Sequence, residues 1–474
     1  MTVHINDNLF TCCFDSDHVS TVHVRFPEGA LLEVVGMDRR HAARLEGFNQ
    51  DGSPIWNQQS PLQPEHPSVE PVLQPQVRWS CCTVRGIAGE LYRSTIACGA
   101  NAKHLEEVGI LRGYGWYGAR VKLSKQKRVE GFLLHEGADV LSFYVNGRYY
   151  GTVSPGGGTA FLPALKPVES AEAALVVRAE IWGHSNFDDA RLPAIRLNAL
   201  RGLSGITAVT TQRDFRKNWR FAPVLTDEQK HDFLQPVQDI THWIIVDWAN
   251  WLTTCQPHAG CFRKQFVASA EANSWTLHFP GLQSLTEVFV NGKWMGHINP
   301  YTPYLDISAV VRPGQTVEVG LYLEKFYSAP GGKITLLEGI TAEDWWIAGS
   351  GETDLAAMAA EDRSHATRTD LPFGLPAGEV SWLWADLPDL SGCWTIRFTG
   401  RNAKISVFFN RKLIGRVWLP TDVIRPRMAG GADDLIYLPG PWFQKGGNTL
   451  ALLVESVKLG AEAEITKIEF QPVR

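Results

Sequence analysis

The stretch Val140–Gly151, "VLSFYVNGRYYG", returns as Leu285–Gly296, "LTEVFVNGKWMG", and in a looser third form as Ile405–Gly415, "ISVFFNRKLIG". In each copy an Asn (Asn146, Asn291, Asn410) stands five residues ahead of a Gly (Gly151, Gly296, Gly415), between two runs rich in β-branched and aromatic residues. Asn-Gly supplies the two positive φ angles that a type I′ hairpin turn demands, so the phrase predicts a hairpin and the Asn reads as a turn residue, not a catalytic one. The third copy puts Arg411 where the others have Gly, which costs turn quality.

Working outward, "WTLHF" and "WTIRF" precede the second and third hairpins. "TAFLPAL", "PYLDISAVVRPG" and "LIYLPGPWFQKGGN" follow the three in turn. Period-two alternation of this kind, punctuated by Gly, Pro and Asn, predicts antiparallel strands with one face buried. The fold class is therefore all-β: tandem jelly-roll β-sandwiches behind a small N-terminal β domain, with no TIM barrel. The expected divisions are 1–77 (the N-terminal unit plus a Pro-rich connection over Pro54–Gln76), 78–225, 226–340 and 341–474. Helical periodicity is weak, and "TAEDWWIAGSGETDLAAMAAEDR", Thr341–Arg363, is its best candidate.

The 474 residues carry a formal charge of -5, with 44% hydrophobic and 20% charged residues. No basic field attracts phosphate backbones and no apolar run reaches the roughly 18 residues of a membrane span, so neither nucleic acid nor a membrane is an expected partner. The opening "MTVHINDNLF" has no secretory pattern, and the eight Cys lack disulfide or zinc spacing. They read as free thiols in a reducing, cytoplasmic setting. His23, His104 and His242 form no metal spacing, and neither a metal nor a cofactor is expected.

In their order along the chain, "HLEEVGILRGYGWYGARV", "LSFYVNGRYYGTV", "IWGHSNFDD", "LRGLSGI", "CFRKQF", "FVNGKWMGHINPY", "ITLLEG" and "LIYLPGPWFQKGGNTLALL" resemble the non-catalytic β region of glycoside hydrolase family 35, the β-galactosidases. The resemblance covers roughly residues 85–474. In that family a TIM barrel carries two glutamates, acid and nucleophile, ahead of galactose-binding-like jelly rolls. No stretch here resembles either glutamate motif, so no catalytic residue carries over. The resemblance implies a non-catalytic accessory or carbohydrate-binding protein. Its expected partners are a galactoside-like saccharide, a separate glycosidase chain, or further copies of itself. A hydrolase using its own carboxylates, such as Asp247, Asp306 or Glu343, and a purely structural assembly module are the alternatives.

Three stretches offer binding chemistry. "EDWWIAGSGE" puts Trp345 and Trp346 beside carboxylates, a mixture suited to stacking on a sugar ring while accepting its hydroxyl protons. Adjacent residues face opposite sides of a strand, so at least one of the two is expected to be exposed or to cap a domain interface. Trp382 and Trp384, at i and i+2, read as core instead. "HINPYTPYLDI" offers Asn299, Tyr301, Tyr304 and Asp306 after the second hairpin, where sandwich loops carry ligands, although its prolines also suit a rigid crossover. "IWGHSNFDD" offers Trp182, His184, Asn186, Phe187, Asp188 and Asp189, which either meet a ligand or a neighbouring domain, or cap turns. Without a barrel to cover their faces, the aromatic sandwiches are expected to associate, around Trp345, Trp346, Trp182 and Phe187.

Overall fold

The computed structural model describes residues 2–6, 9–15, 20–25, 31–37, 44–49 and 54–56, then 77–473 except 85–94, 124–127, 165–170, 186–187, 189–195, 197–198, 236–238, 249–258, 283–284, 325–332, 389, 391 and 427–431. Two compact units emerge, Met1–Val72 and Leu73–Arg474. The first holds a four-stranded sheet in which Leu9–Asp15 runs parallel to Leu31–Met37, flanked by Thr2–Asn6 and Ser20–Arg25. It also holds a ladder between Leu45–Phe48 and Pro54–Trp56, so the Pro-rich stretch begins as a strand, and its remainder, 57–76, lies outside the described residues.

The second unit is built of five antiparallel sheets, and no alternation of strand and helix closes into a barrel among the described residues. A middle sheet runs in the order Arg148–Val153, Val140–Val145, Glu172–Ile181, Gly113–Lys122, Glu343–Ser350, Thr95–Gly99. A shared sheet runs Gly158–Pro163, Gly131–Gly137, Gly205–Asp214, Thr335–Thr341, Ser274–His278, Tyr304–Asp306. A flank sheet runs Ile244–Val246, Trp219–Val224, Ala259–Val267, Thr316–Glu324, Thr286–Val290, Lys293–Ile298. A junction sheet runs Thr367–Thr369, Trp79–Thr83, Val380–Leu387, Asn448–Ser456, Ala403–Phe409, Lys412–Trp418, and a terminal sheet Phe373–Leu375, Ala463–Pro472, Trp394–Arg401, Leu435–Leu438.

Strand pairing crosses the expected linear divisions. Trp79–Thr83 pairs with Val380–Leu387 of the last sandwich, and Glu343–Ser350 pairs back onto Gly113–Lys122 of the first. The sandwiches are nested: the second is inserted in the first, and the first in the third. One core of Tyr117, Val121, Phe132, Phe143, Val177 and Trp345 fills the space between middle and shared sheets. Another, of Trp219, Phe262, Trp275, Leu277 and Leu321, lies between flank and shared sheets. Both cores use the same face of the shared sheet, because Leu336 and Ile340 alternate in phase on one strand.

All three hairpins form. Asn146-Gly147, Asn291-Gly292 and Asn410-Arg411 have φ of 48° and 73°, 50° and 77°, and 47° and 67°. Arg411 thus keeps the short turn in the left-handed region, at a cost of roughly 1–2 kcal/mol that Gly avoids. Each hairpin carries a register shift at the same place, with Gly151, Gly296 and Gly415 opposite Phe143, Val288 and Val407. Each Asn also ties its turn to the next strand: its N–H donates to the carbonyl of Ala174, Glu318 or Thr449, and its Oδ1 accepts from that same residue's N–H at 2.9 Å.

Among the described residues two α-helices interrupt the strands. Thr341–Arg363 is a strand to Ser350 and a helix only over Glu352–Asp362. The helix Asp227–Leu234 follows a Thr226 N-cap that accepts from the N–H of Gln229. That helix was not expected from the sequence.

Candidate functional site

Strand alternation decides which side chains of the shared sheet are available. Trp275, Leu277 and Leu305 point into the second core, which leaves Ser274, Thr276, His278, Tyr304 and Asp306 on the opposite face. Register then lays out two rows across four strands: Gln212, Leu337, Thr276 and Asp306, and beside them Asp214, Thr335, His278 and Tyr304. The His278 and Tyr304 rings stack nearly parallel, with centroids 4.0 Å apart. Burial lowers His278 to about 4 and raises Tyr304 to about 12, so both rings are neutral at physiological pH. The Thr276 Oγ1 is buried without a hydrogen-bond partner. Gln212 and Asp306 are exposed at the two ends of their row.

Next to these rows the face becomes buried. His135 Nε2 meets Thr207 Oγ1 at 2.9 Å, and Thr207 Oγ1 meets Ser274 Oγ at 2.9 Å. Leu133, Val209 and Leu337 cluster on this side with Phe161 and Tyr304 against them. Asp306 Oδ1 accepts from Ser308 N–H at 2.8 Å and from its hydroxyl. Asn299 is held in a turn, its Oδ1 accepting from the N–H groups of Tyr301 and Thr302 at 2.8 and 3.0 Å. Tyr301, on that turn, is 52% exposed. The face thus offers stacked rings, hydroxyls, an amide and a carboxylate, groups that can meet a polyhydroxylated ligand.

A second polar constellation sits where the middle sheet meets the junction sheet. Arg178 and Glu180 alternate with core residues on one strand, Lys404 and Ser406 on another, so all four face the seam. Glu180, Lys404 and Glu455 are each at most 1% exposed. Lys404 Nζ bonds Glu180 and lies 2.8 Å from Glu455 Oε1, while Arg178 bonds Glu455. Arg416 Nε donates to Glu180 Oε1 at 2.8 Å, Trp182 Nε1 to Glu180 Oε2 at 2.8 Å, and Tyr114 Oη to Glu455 Oε1 at 2.5 Å. Burial pushes Glu180 up, but Lys404 and Arg416 outweigh it and hold the carboxyl at about 2. Burial and both carboxylates push the Tyr114 phenol well up. Every carboxylate here is saturated and sealed, so the cluster binds the two sandwiches to each other and leaves no oxygen open to a substrate.

The remaining sequence candidates do not join either place as one set. Trp345 lies in the first core and donates to Ala342 O at 3.2 Å. Trp346 is buried on the other face of the middle sheet with Trp116, where a side chain on Gly118 would collide with its indole. Trp346 therefore caps the side turned to the third sandwich. Trp382 and Trp384 share a face, as alternation requires, and that face is packed with Leu355, Ala356 and Tyr114. Trp182 stacks edge-on against Trp418. His184 Nε2 meets Glu106 Oε1 at 3.1 Å and Asp188 pairs with Arg196 at 3.6 Å, while Asn186, Phe187 and Asp189 lie outside the described residues. Asp247 accepts from Asn218 N–H, and Glu343 pairs with Lys122, so these two and Asp306 stand on separate sheets. Sequence reading missed His278, Thr276 and the junction charges. Their only signal is an alternation of polar residues, which equally marks a solvated strand face.

Among the described residues no group of three or more His, Cys, Asp or Glu is arranged to hold a metal ion, and no helix is long and apolar enough to cross a membrane. No family model and no curated protein matches the chain. Among solved structures, a glycosyl hydrolase family 2 member from Bacteroides cellulosilyticus DSM 14838 is similar over 52% of this chain and 32% of its own, with TM-score 0.24 and 13% identity. The β-glucuronidase of Ruminococcus gnavus is similar over 48% and 39%, with TM-score 0.22 and 12% identity. A putative β-galactosidase from Bacteroides fragilis is similar over 56% and 40%, with TM-score 0.24 and 12% identity. The chain thus spans well under half the length of each of these three proteins.

Proposed function

We propose that this chain is a non-catalytic, saccharide-binding β-sandwich protein that serves a glycosidase, and that the outer face of its shared sheet holds the saccharide. The stacked His278–Tyr304 pair beside the exposed Asp306 carboxylate carries this reading. Two neutral rings present an apolar edge to a sugar, and Gln212 and Asp306, exposed at the ends of one row, stand to meet its hydroxyls. The phrases that resemble family 35 β-galactosidases favour a galactoside as ligand and a barrel-bearing glycosidase as partner. The sealing of Glu180 and Glu455 favours a role without hydrolysis, since glycoside cleavage needs carboxylates that reach the glycosidic bond.

Calorimetric titration of the intact chain with lactose and D-galactose tests the site. Saturable binding that weakens about tenfold in Tyr304→Ala is the expected result, a loss of about 1.4 kcal/mol. Unchanged affinity in Tyr304→Ala and His278→Ala together would remove the sheet face from consideration. Incubation with a nitrophenyl galactoside should release no nitrophenol, and turnover lost on changing Asp306 to Asn would reverse the non-catalytic reading. Light scattering with a co-encoded glycosidase checks the partner.

A further inference from the structure

We infer that the third sandwich carries a separate pocket for a single neutral sugar unit, and that filling it is felt at the seam with the first sandwich. A cleft of about 450 Å³ opens where the terminal and junction sheets end, between the strands Trp394–Arg401 and Lys412–Trp418. That volume falls within the roughly 300–1,000 Å³ of small-ligand sites. Phe398, Trp418 and Val423 give it an apolar wall, and Thr421, Arg425, Asp433 and Asp434 give it polar groups. The two aspartates are pinned at the mouth by their backbone: Asp433 O accepts from Trp418 N–H at 2.9 Å and Asp434 O from Phe398 N–H at 2.8 Å.

Charge selects the ligand class. Arg425 is committed to Asp433, and Asp434 accepts from Arg397 Nη1 at 2.5 Å. Among the described lining residues the one cation is therefore occupied, while the two carboxylates keep spare lone pairs. Among the described lining residues a uronate or phosphate would meet two carboxylates and no uncommitted cation, whereas the hydroxyls of a neutral hexose can donate to both aspartates.

Trp418 joins this pocket to the seam. Its Nε1 donates to Val423 O at 3.3 Å, so the segment bordering the cleft positions the indole. Its ring packs edge-on against Trp182 at 5.7 Å, and Trp182 donates to the buried Glu180. Lys404 stands directly across the ladder from Trp418. A ligand against Val423 and Thr421 is thus linked through Trp418 and Trp182 to the charges that hold the sandwiches together, and it should stabilise the chain by mass action as well as alter tryptophan emission.

The test uses the intact chain, intrinsic tryptophan fluorescence and thermal melting, with D-galactose, D-glucose, D-mannose and D-glucuronate as probes. In Tyr304→Ala, which leaves the cleft untouched, at least one neutral hexose should still saturate and raise the melting temperature. That response should weaken about tenfold in Thr421→Trp, which fills the cleft, and in Arg425→Ala, with glucuronate at least tenfold weaker than the best hexose. Melting without sugar shows which variants fold, and either of the two suffices. Equal responses in the cleft variants, glucuronate as the preferred probe, or a complete loss of hexose binding in Tyr304→Ala would each overturn the pocket. The last outcome would leave the sheet-face reading intact, and a loss confined to the cleft variants would do the reverse.

Discussion

The seam between the middle and junction sheets and the outer face of the shared sheet are made alike and end differently. Both are polar faces of alternating strands whose other face is core. At the seam another sandwich covers the face, and each charge had to find a partner: Lys404 lies between Glu180 and Glu455, and two arginines and a tyrosine close the remaining valences. On the shared sheet Gln212 and Asp306 stay exposed at the ends of their row. A covered polar face becomes a joint, since an unpaired buried charge costs several kcal/mol, whereas a face left open keeps capacity for a ligand.

The largest effect that can break this comparison is at Lys404. Lys404→Met leaves two buried carboxylates facing each other and should cost about 3–5 kcal/mol in urea unfolding. A loss below about 1 kcal/mol would mean that the seam is hydrated and no different from the open face. The hairpins come next, because the second leads into Tyr304 and the third carries Arg416 into the seam. Gly292→Val forces a β-branched residue to φ near 77° and should cost about 1–3 kcal/mol by the same measurement. Arg411→Gly relieves the same strain and should stabilise by about 1 kcal/mol; a destabilisation would show that the Arg411 side chain matters more than its backbone.

Acid separates the two regions with the smallest perturbation. His278 is held at about 4 against an ordinary 6.5, so the unfolded chain takes up the proton first and stability falls as the pH drops from about 6.5 toward 4. Glu180 is held at about 2 against 4.5, so its contribution is full above about 4.5 and is lost as the pH falls toward 2. Urea midpoints against pH should therefore show two declines, the upper one reduced in His278→Asn and the lower one unaffected. A single decline untouched by that substitution would place His278 in water.

Much of this was legible along the chain. The Asn-Gly repeats marked all three hairpins, even where Arg411 breaks the pattern, because the turn's backbone demand is local and Asn tolerates it. The alternation in "WTLHF" foretold that Trp275 and Leu277 share a face opposite Thr276 and His278. The region after the second hairpin reads along the chain as a candidate place for a ligand, and in the fold Tyr304 and Asp306 lie on one sheet face. His278 was not legible there, because its neighbour Tyr304 is distant in sequence and adjacent only through strand pairing. The expected association, with further copies or a glycosidase chain, around Trp345, Trp346, Trp182 and Phe187 rests on rings that nothing in a linear reading covers. In the folded chain Trp345 enters its own core and Trp346 and Trp182 face the third sandwich.

By itself the sequence determined the all-β class, the three hairpins and the inward or outward sense of each strand, because turn geometry and period-two patterning are properties of a few neighbouring residues. Only the tertiary structure decided how the sandwiches nest and which polar faces are covered. Glu343–Ser350 returns to a strand more than two hundred positions earlier, and Arg178, Glu180, Lys404 and Glu455 become one buried cluster through contacts of comparable or longer range. A strand's alternation states that a side chain points away from its own core; whether water, a ligand or another sandwich meets it depends on what the rest of the chain brings to that face.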